Sequence, residues 1–238
     1  MSAIISISKN TITRLIKDIK QIVKEPLHEQ GIYYKHDEDD LLKGYAMIIG
    51  PTDTPYEHGF YLFKLQYPTD YPYSPPKLEF LTQDGVTRFN PNLYRSGKVC
   101  LSLLNTWRGE QWTSCQSISS ILLTLVTIFN NTPLLNEPGV SIKHPDFDNY
   151  HDIITFKNFD IAIYDIITNK ENYVNKLFHE EIIENYHKNY DMIKKRINNL
   201  KKKNKNVFIT TSIYNMKINI NYNDIHNKLI KKKIEIKE

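Results

Sequence analysis

The sequence predicts an α+β domain on three observations: an amphipathic opening helix, four short strand-forming segments joined by tight links, and a second apolar helix beyond a long irregular stretch. The opening helix spans residues 11–24. Ile12, Leu15, Ile16, Ile19, Ile22 and Val23 recur at three- and four-residue spacing, and Pro26 limits the run. Arg14, Lys17, Lys20 and Lys24 fall mostly off that stripe, as a solvated face or as a surface for an acidic partner. Segments 32–34, 44–49, 59–67 and 77–81 are rich in β-branched and aromatic residues, with turn-forming clusters at 36–40, 51–56 and 68–76 between them. Links this short favour antiparallel neighbours, so the four segments form a meander. Residues 83–109 carry few periodic signals, and a structureless stretch of that length inside a domain is usually functional. Beyond it, residues 113–116 have capping-box spacing, and Ile118, Ile121, Leu122, Leu125, Val126 and Phe129 form the stripe of the second helix before Pro133. Cys115 falls in that capping segment and is expected to pack.

Residues 1–140 are read as a catalytic core and 141–238 as a helical extension packed on it or continuing it. The extension is predicted to hold helices at 158–167, 172–200 and 222–234, the longest with a stripe of Tyr173, Leu177, Ile182, Ile183, Tyr186, Tyr190, Ile193 and Ile197. Charge divides the same way. Residues 141–238 carry 18 Lys and Arg against 13 Asp and Glu, whereas residues 1–140 carry 13 against 14. The runs at 194–196, 201–203 and 231–233 suit solvated helix ends near a favourable dipole, and with no recognition motif beside them a nucleic-acid partner is disfavoured.

Composition excludes further classes. With 40% hydrophobic and 24% charged residues a packed core is expected. No run approaches the roughly 18–20 apolar residues of a membrane span, so no membrane partner is expected. No secretory leader is visible. Two cysteines cannot build a disulfide framework, and neither CxxC nor HxxxH spacing offers a zinc site. A cytoplasmic or nuclear location follows as the expectation, in a host cell if the source is viral.

The chemistry concentrates in residues 88–102. Cys100 follows Gly97 in a turn-rich segment, and Asn92 stands eight positions earlier. A neutral Asn amide can donate to an oxyanion without ionising, which suits acyl transfer from a thioester. A thiol protease would need a histidine partner. His58 and His144 are the nearest in sequence, and neither sits in a protease-like motif.

Residues 12–140 resemble the ubiquitin-conjugating E2 enzymes. The resemblance rests on the basic opening helix, Gly50-Pro51 through Thr54-Pro55-Tyr56-Glu57, Tyr71-Pro72-Tyr73-Ser74-Pro75-Pro76-Lys77, Asn90-Pro91-Asn92, Gly97-Lys98-Val99-Cys100-Leu101 and Trp112, all in order. Each is a weak motif, and the series is strong. Thr106-Trp107-Arg108-Gly109-Glu110-Gln111-Trp112 and Asn136-Glu137-Pro138-Gly139 resemble the subgroup called class Z, as does Asn149-Tyr150-His151 more loosely.

The resemblance implies the E2 (UBC) fold and a set of roles. Cys100 would take ubiquitin from an E1 activating enzyme as a thioester and pass it to a substrate lysine. Asn92 would steady the loop and the oxyanion. Asn136 and Glu137 would stand near a gate that orients or deprotonates the lysine. Arg14, Lys17 and Lys20 would meet the E1, and Tyr73, Pro75 and Ser114 an E3 ligase. No cofactor is implied for this chain, since ATP is used upstream by the E1. Departures accompany these implications. Thr113-Ser114-Cys115 lacks the usual proline, which leaves that loop less pre-set for an E3. His58 replaces a common glycine, expected to mark a turn without positive φ. Two other readings remain open: a non-catalytic E2-like adaptor that binds ubiquitin or a partner, and an E2 for another ubiquitin-like modifier.

Overall fold

The computed structural model describes residues 7–203 and 206–237. The leader reading rests partly on residues 1–6, outside the described residues, as are the side chains of Lys203 and Lys233 in the basic runs. Helix α1 (Lys9–Lys24) starts at Ser8, whose hydroxyl accepts from the Thr11 amide, and buries Leu15 and Ile22. Strands β1 (Ile32–His36), β2 (Lys43–Ile49), β3 (Phe60–Gln66) and β4 (Lys77–Phe80) form the expected antiparallel meander in the order β1-β2-β3-β4. Side chains alternate between faces along each strand. One face carries Tyr34, Ala46, Phe63 and Phe80 in register, and Phe129 packs on it against Phe63 and Tyr61. The other carries Tyr33, Lys35, Tyr45, Met47 and Leu62.

Helix α2 (Ile118–Val126) begins later than the spacing at 113–116 suggests. Its capping box joins Ser117 and Ser120, a serine hydroxyl doing at N3 what Glu or Gln usually does. Residues 113–116 form a turn instead, and Cys115 is exposed, not packed. The turn at His58 also departs from expectation. His58 has φ +62°, so the left-handed geometry is kept without a glycine.

The extension is helical and holds a hairpin besides. Helix α3 (Phe147–Lys157) runs without a break through a π-helical stretch (Asn158–Asp165) into α4 (Ile166–Thr168). The long predicted helix is divided at Phe178 into α5 (Tyr173–Leu177) and α6 (His179–Lys203). Strands β5 (Val207–Thr211) and β6 (Met216–Ile220) pair antiparallel, and α7 (Tyr222–Lys237) follows. The strands bury Ile209, Thr211, Met216, Ile218 and Ile220 at alternate positions, a period-two signal that the helical reading of the tail passed over.

Residues of α5 and α6 lie on the outer face of the sheet. Lys35 donates to the Leu177 carbonyl (2.8 Å) and pairs with Glu181 (2.6 Å). Tyr173 packs edge-on against Tyr45, and the Asn185 amide donates to the Tyr33 hydroxyl. Fifteen residues along α6 from Glu181, about 22 Å, Arg196 pairs with Glu57 (2.6 Å) and donates to the Thr54 carbonyl (2.7 Å). Met47 and Leu62 are buried, at roughly 2 kcal/mol each if they would otherwise face water.

Asp146 fastens the hairpin. Its Oδ2 accepts from the Ser212 amide (3.0 Å), the Ser212 hydroxyl (2.6 Å) and the Ile213 amide (2.9 Å). Burial alone would raise its pKa, but these donors, helped by His144, outweigh burial and hold the carboxyl below the ordinary carboxylate value. Asp146→Ala is expected to cost about 3 kcal/mol at neutral pH, a fall of roughly 6–12 °C in thermal midpoint for a chain of this size. A carboxyl whose folded pKa is depressed contributes fully above its unfolded value and loses that contribution as pH falls through the folded one. The gap between wild type and variant in thermal unfolding should therefore narrow as pH falls below the ordinary carboxylate range; a gap constant with pH would disprove the latch.

Candidate active site

The irregular stretch after β4 is ordered by side-chain hydrogen bonds in place of periodic structure. Asn90 is fully buried and uses both ends of its amide. Its Nδ2 donates to the Tyr56 hydroxyl (2.9 Å) and the Ile128 carbonyl (2.8 Å), and its Oδ1 accepts from the Asn92 amide (3.0 Å) and from Asn136 Nδ2 (3.2 Å). The turn through Pro91 is thereby fixed, and Asn92 is presented to Cys100. The two residues bond twice: Asn92 Nδ2 donates to the Cys100 carbonyl (2.7 Å), and the Cys100 amide donates to the Asn92 carbonyl (2.8 Å).

Cys100 itself is 2% exposed. The chain beyond it folds back. The Thr106 hydroxyl accepts from the Leu101 amide (3.0 Å) and donates to the carbonyl of Val99 or Leu101 (both 3.1 Å). Asn105, left-handed at φ +57°, takes the Trp112 amide on its Oδ1 (2.8 Å). At Gly109, φ +130°, a Cβ would sit 3.0 Å from that of Ser102, so only glycine lets the loop lie so close.

A second layer braces the first. The Arg88 guanidinium lies 3.4 Å from the Tyr94 ring centroid and 5.1 Å from that of Tyr214, and donates to the carbonyls of Asn90 (3.2 Å) and Pro91 (2.6 Å). Tyr150 donates to the Arg88 carbonyl (2.8 Å). The sequence gives Arg88 and Tyr214 no role, and Tyr150 enters there only within the Asn149-Tyr150-His151 resemblance. Motif spacing gives no sign that they meet, since the contacts that join Arg88 to the extension span 62 to 128 residues.

The remaining predicted site residues are placed as follows. Glu137 accepts the Tyr214 hydroxyl on Oε2 (2.5 Å). Burial and that carboxylate push the Tyr214 phenol well above its ordinary pKa, so it is the donor. Asn136 turns inward to Asn90 and the Ile128 carbonyl and accepts from Asn130 (2.9 Å). Arg14 is committed within the molecule: Nε pairs with buried Asp18 (3.0 Å), and the two terminal nitrogens donate to the carbonyls of Ser114 (2.6 Å) and Gln116 (2.5 Å). Lys17 and Lys20 are exposed. Tyr73 is 72% exposed, Pro75 half-buried and Ser114 exposed. Trp112 joins the two loops that carry them, its Nε1 donating to the Pro72 carbonyl (2.7 Å). A groove of about 910 Å³ runs from Pro75 past Leu78 to Val99, Leu104 and Thr106. The two histidines considered for a protease are used elsewhere. His58 lies 3.8 Å from Glu57, and His144 accepts the Asp146 amide (3.1 Å).

Among the described residues no group of three or more His, Cys, Asp or Glu could hold a metal ion, and no helix is long and apolar enough to cross a membrane. The family model described as ubiquitin-conjugating enzyme matches residues 14–144. "Ubiquitin-conjugating enzyme E2 Z" of Danio rerio is 43% identical over 166 residues, which cover 68% of this chain and 50% of that protein. The human protein of the same name is 43% identical over 162 residues, 67% of this chain and 45% of that one. "Probable ubiquitin-conjugating enzyme E2 R521" of Acanthamoeba polyphaga mimivirus is 33% identical over 177 residues, 68% of this chain and 12% of the viral protein. The chain thus spans about half the length, or less, of the relatives it matches.

Proposed function

The chain belongs to the ubiquitin-conjugating enzyme family, and from that premise we propose that it carries ubiquitin as a thioester on Cys100 and transfers it to a substrate lysine, with or without an E3. The observation that carries this reading is the double hydrogen bond between Asn92 and Cys100, inside the segment the family model matches. Residues 1–140 would be the catalytic core and 141–238 its extension.

Two acyl transfers make up the reaction. The Cys100 thiolate attacks the carbonyl of the E1-bound thioester, the new C–S bond forms, and the E1 thiolate leaves. A lysine amine then attacks the Cys100 thioester, the C–N bond forms, and the Cys100 thiolate departs. Lysine is a cation near neutral pH and must lose a proton to attack; Glu137 is our candidate to hold the amine and take that proton. Asn92 fixes the carbonyl end of Cys100 and supplies a neutral donor beside the reacting carbon. Asn136 supports Asn92 through Asn90. Lys17 and Lys20 offer the exposed cations for E1, with Arg14 shaping the adjoining loop, and Tyr73, Pro75 and Ser114 offer an E3 surface. No resident cofactor is needed, since ATP is spent by the E1. An adaptor role is disfavoured because Cys100 and Asn92 are both present and are joined by two hydrogen bonds.

The reading is tested by incubating the purified chain with ATP, ubiquitin and each of the two common E1 types, then comparing reducing and non-reducing gels. A thiol-sensitive adduct is expected. Its absence with both enzymes, from folded protein, would overturn the assignment in favour of an adaptor or another modifier.

A further inference from the structure

The tip of the β5–β6 hairpin reaches the segment that holds Asn92, although 119 residues separate Arg95 from Tyr214. Arg95 donates to the Tyr214 carbonyl (2.5 Å), and Met216 Sδ accepts the Arg88 amide (3.4 Å). Tyr214 and Asn215 adopt φ +59° and +48°, left-handed values that a tyrosine accepts only when its surroundings impose them. That conformation brings one side chain to two members of the site. The Tyr214 ring lies near the Arg88 guanidinium, and its hydroxyl donates to Glu137. Arg88 holds the Asn90 and Pro91 carbonyls, Asn90 holds the Asn92 amide, and Asn92 holds the Cys100 carbonyl. A continuous chain of contacts therefore runs from the hairpin to the nucleophile, with a branch to the carboxylate.

We infer that Tyr214 is a positioning residue for the transfer step: its ring steadies Arg88, and through it the Asn90–Asn92 turn, while its hydroxyl fixes the Glu137 carboxylate where the lysine arrives. The inference rests on the conjugating reading above. It gives the hairpin tip a task beyond its attachment to the extension, since Asp146 already fastens it through Ser212 and Ile213. Attack by lysine depends on the placement of groups that act only in that step, whereas loading from the E1 does not use Glu137.

The test uses the full chain charged at Cys100 with ubiquitin, after which the E1 is stopped and free lysine is added over a range of concentrations. Wild type, Tyr214→Phe and Tyr214→Ala are compared for loading rate, maximal discharge rate and half-saturating lysine. Maximal discharge is expected to fall about threefold in Tyr214→Phe, which loses only the bond to Glu137, and about tenfold in Tyr214→Ala, which loses the ring as well. Loading and half-saturating lysine should each change less than about twofold. A merely structural tyrosine would lower loading and discharge together. The inference is overturned if both variants discharge at the wild-type rate, or if loading falls as far as discharge. Should Tyr214→Ala not fold, Tyr214→Phe keeps the ring and decides alone. Should the wild type take no thioester, the conjugating reading fails and this inference falls with it.

Discussion

Cys100→Ser is expected to remove the thiol-sensitive ubiquitin adduct completely, while Cys115→Ser leaves it unchanged. A serine hydroxyl ionises far less readily than a thiol and is a weak nucleophile without a base beside it. Any adduct it formed would be an oxyester that survives reducing agent, so the gel distinguishes the outcomes. The cysteines also differ in access: Cys115 is exposed and Cys100 buried. In the uncharged protein a small alkylating reagent should therefore consume Cys115 well before Cys100, which peptide mass spectrometry resolves. Loss of the adduct in Cys115→Ser would assign the chemistry to the wrong thiol.

Asn92→Ala is the second large effect. Its Nδ2 bond to the Cys100 carbonyl has no substitute nearby, so the variant leaves a buried carbonyl unpaired, at about 1–3 kcal/mol. The larger consequence is kinetic. If the amide also supports the oxyanion, transfer to lysine should drop roughly 10²-fold or more, while loading falls no more than about tenfold. Single-turnover discharge of pre-loaded protein separates the two. Equal losses in both steps would restrict Asn92 to holding the loop, and no loss would remove it from the mechanism.

What is legible in the chain divides by the range of the interactions. Periodic patterns are local, and they placed α1, the four strands and α2 to within a few residues. The eight-residue spacing of Asn92 and Cys100 was legible because both lie in one turn-rich segment. By its spacing on α1 Arg14 fits an exposed cation, whereas in the fold it is held by Asp18 one turn on and by carbonyls 100 and 102 residues away. Cys115 misled because two capping spacings overlap, and Ser117 with Ser120 prevails over residues 113–116. The hairpin was legible in principle from alternation at Ile209, Thr211, Ile218 and Ile220. Its purpose was not, since nothing along the chain ties Tyr214 to Arg88 or Glu137.

The hairpin's reach also sets the order in which the molecule can be completed. Residues 88–137 leave the ribosome with their motifs intact, yet the groups that brace them lie between 146 and 216. At 5–20 residues per second, the roughly 80 residues from the end of the α2 region to the hairpin take about 4–16 s to synthesise. Through that interval neither the Arg88–Tyr214 contact nor the Tyr214–Glu137 hydrogen bond can form. Contacts of such long sequence separation are also among the slowest to close in folding. The nucleophile is thus made early and its surroundings are finished last, so competence to pass ubiquitin on to lysine would arrive as a late event in the chain's own biosynthesis.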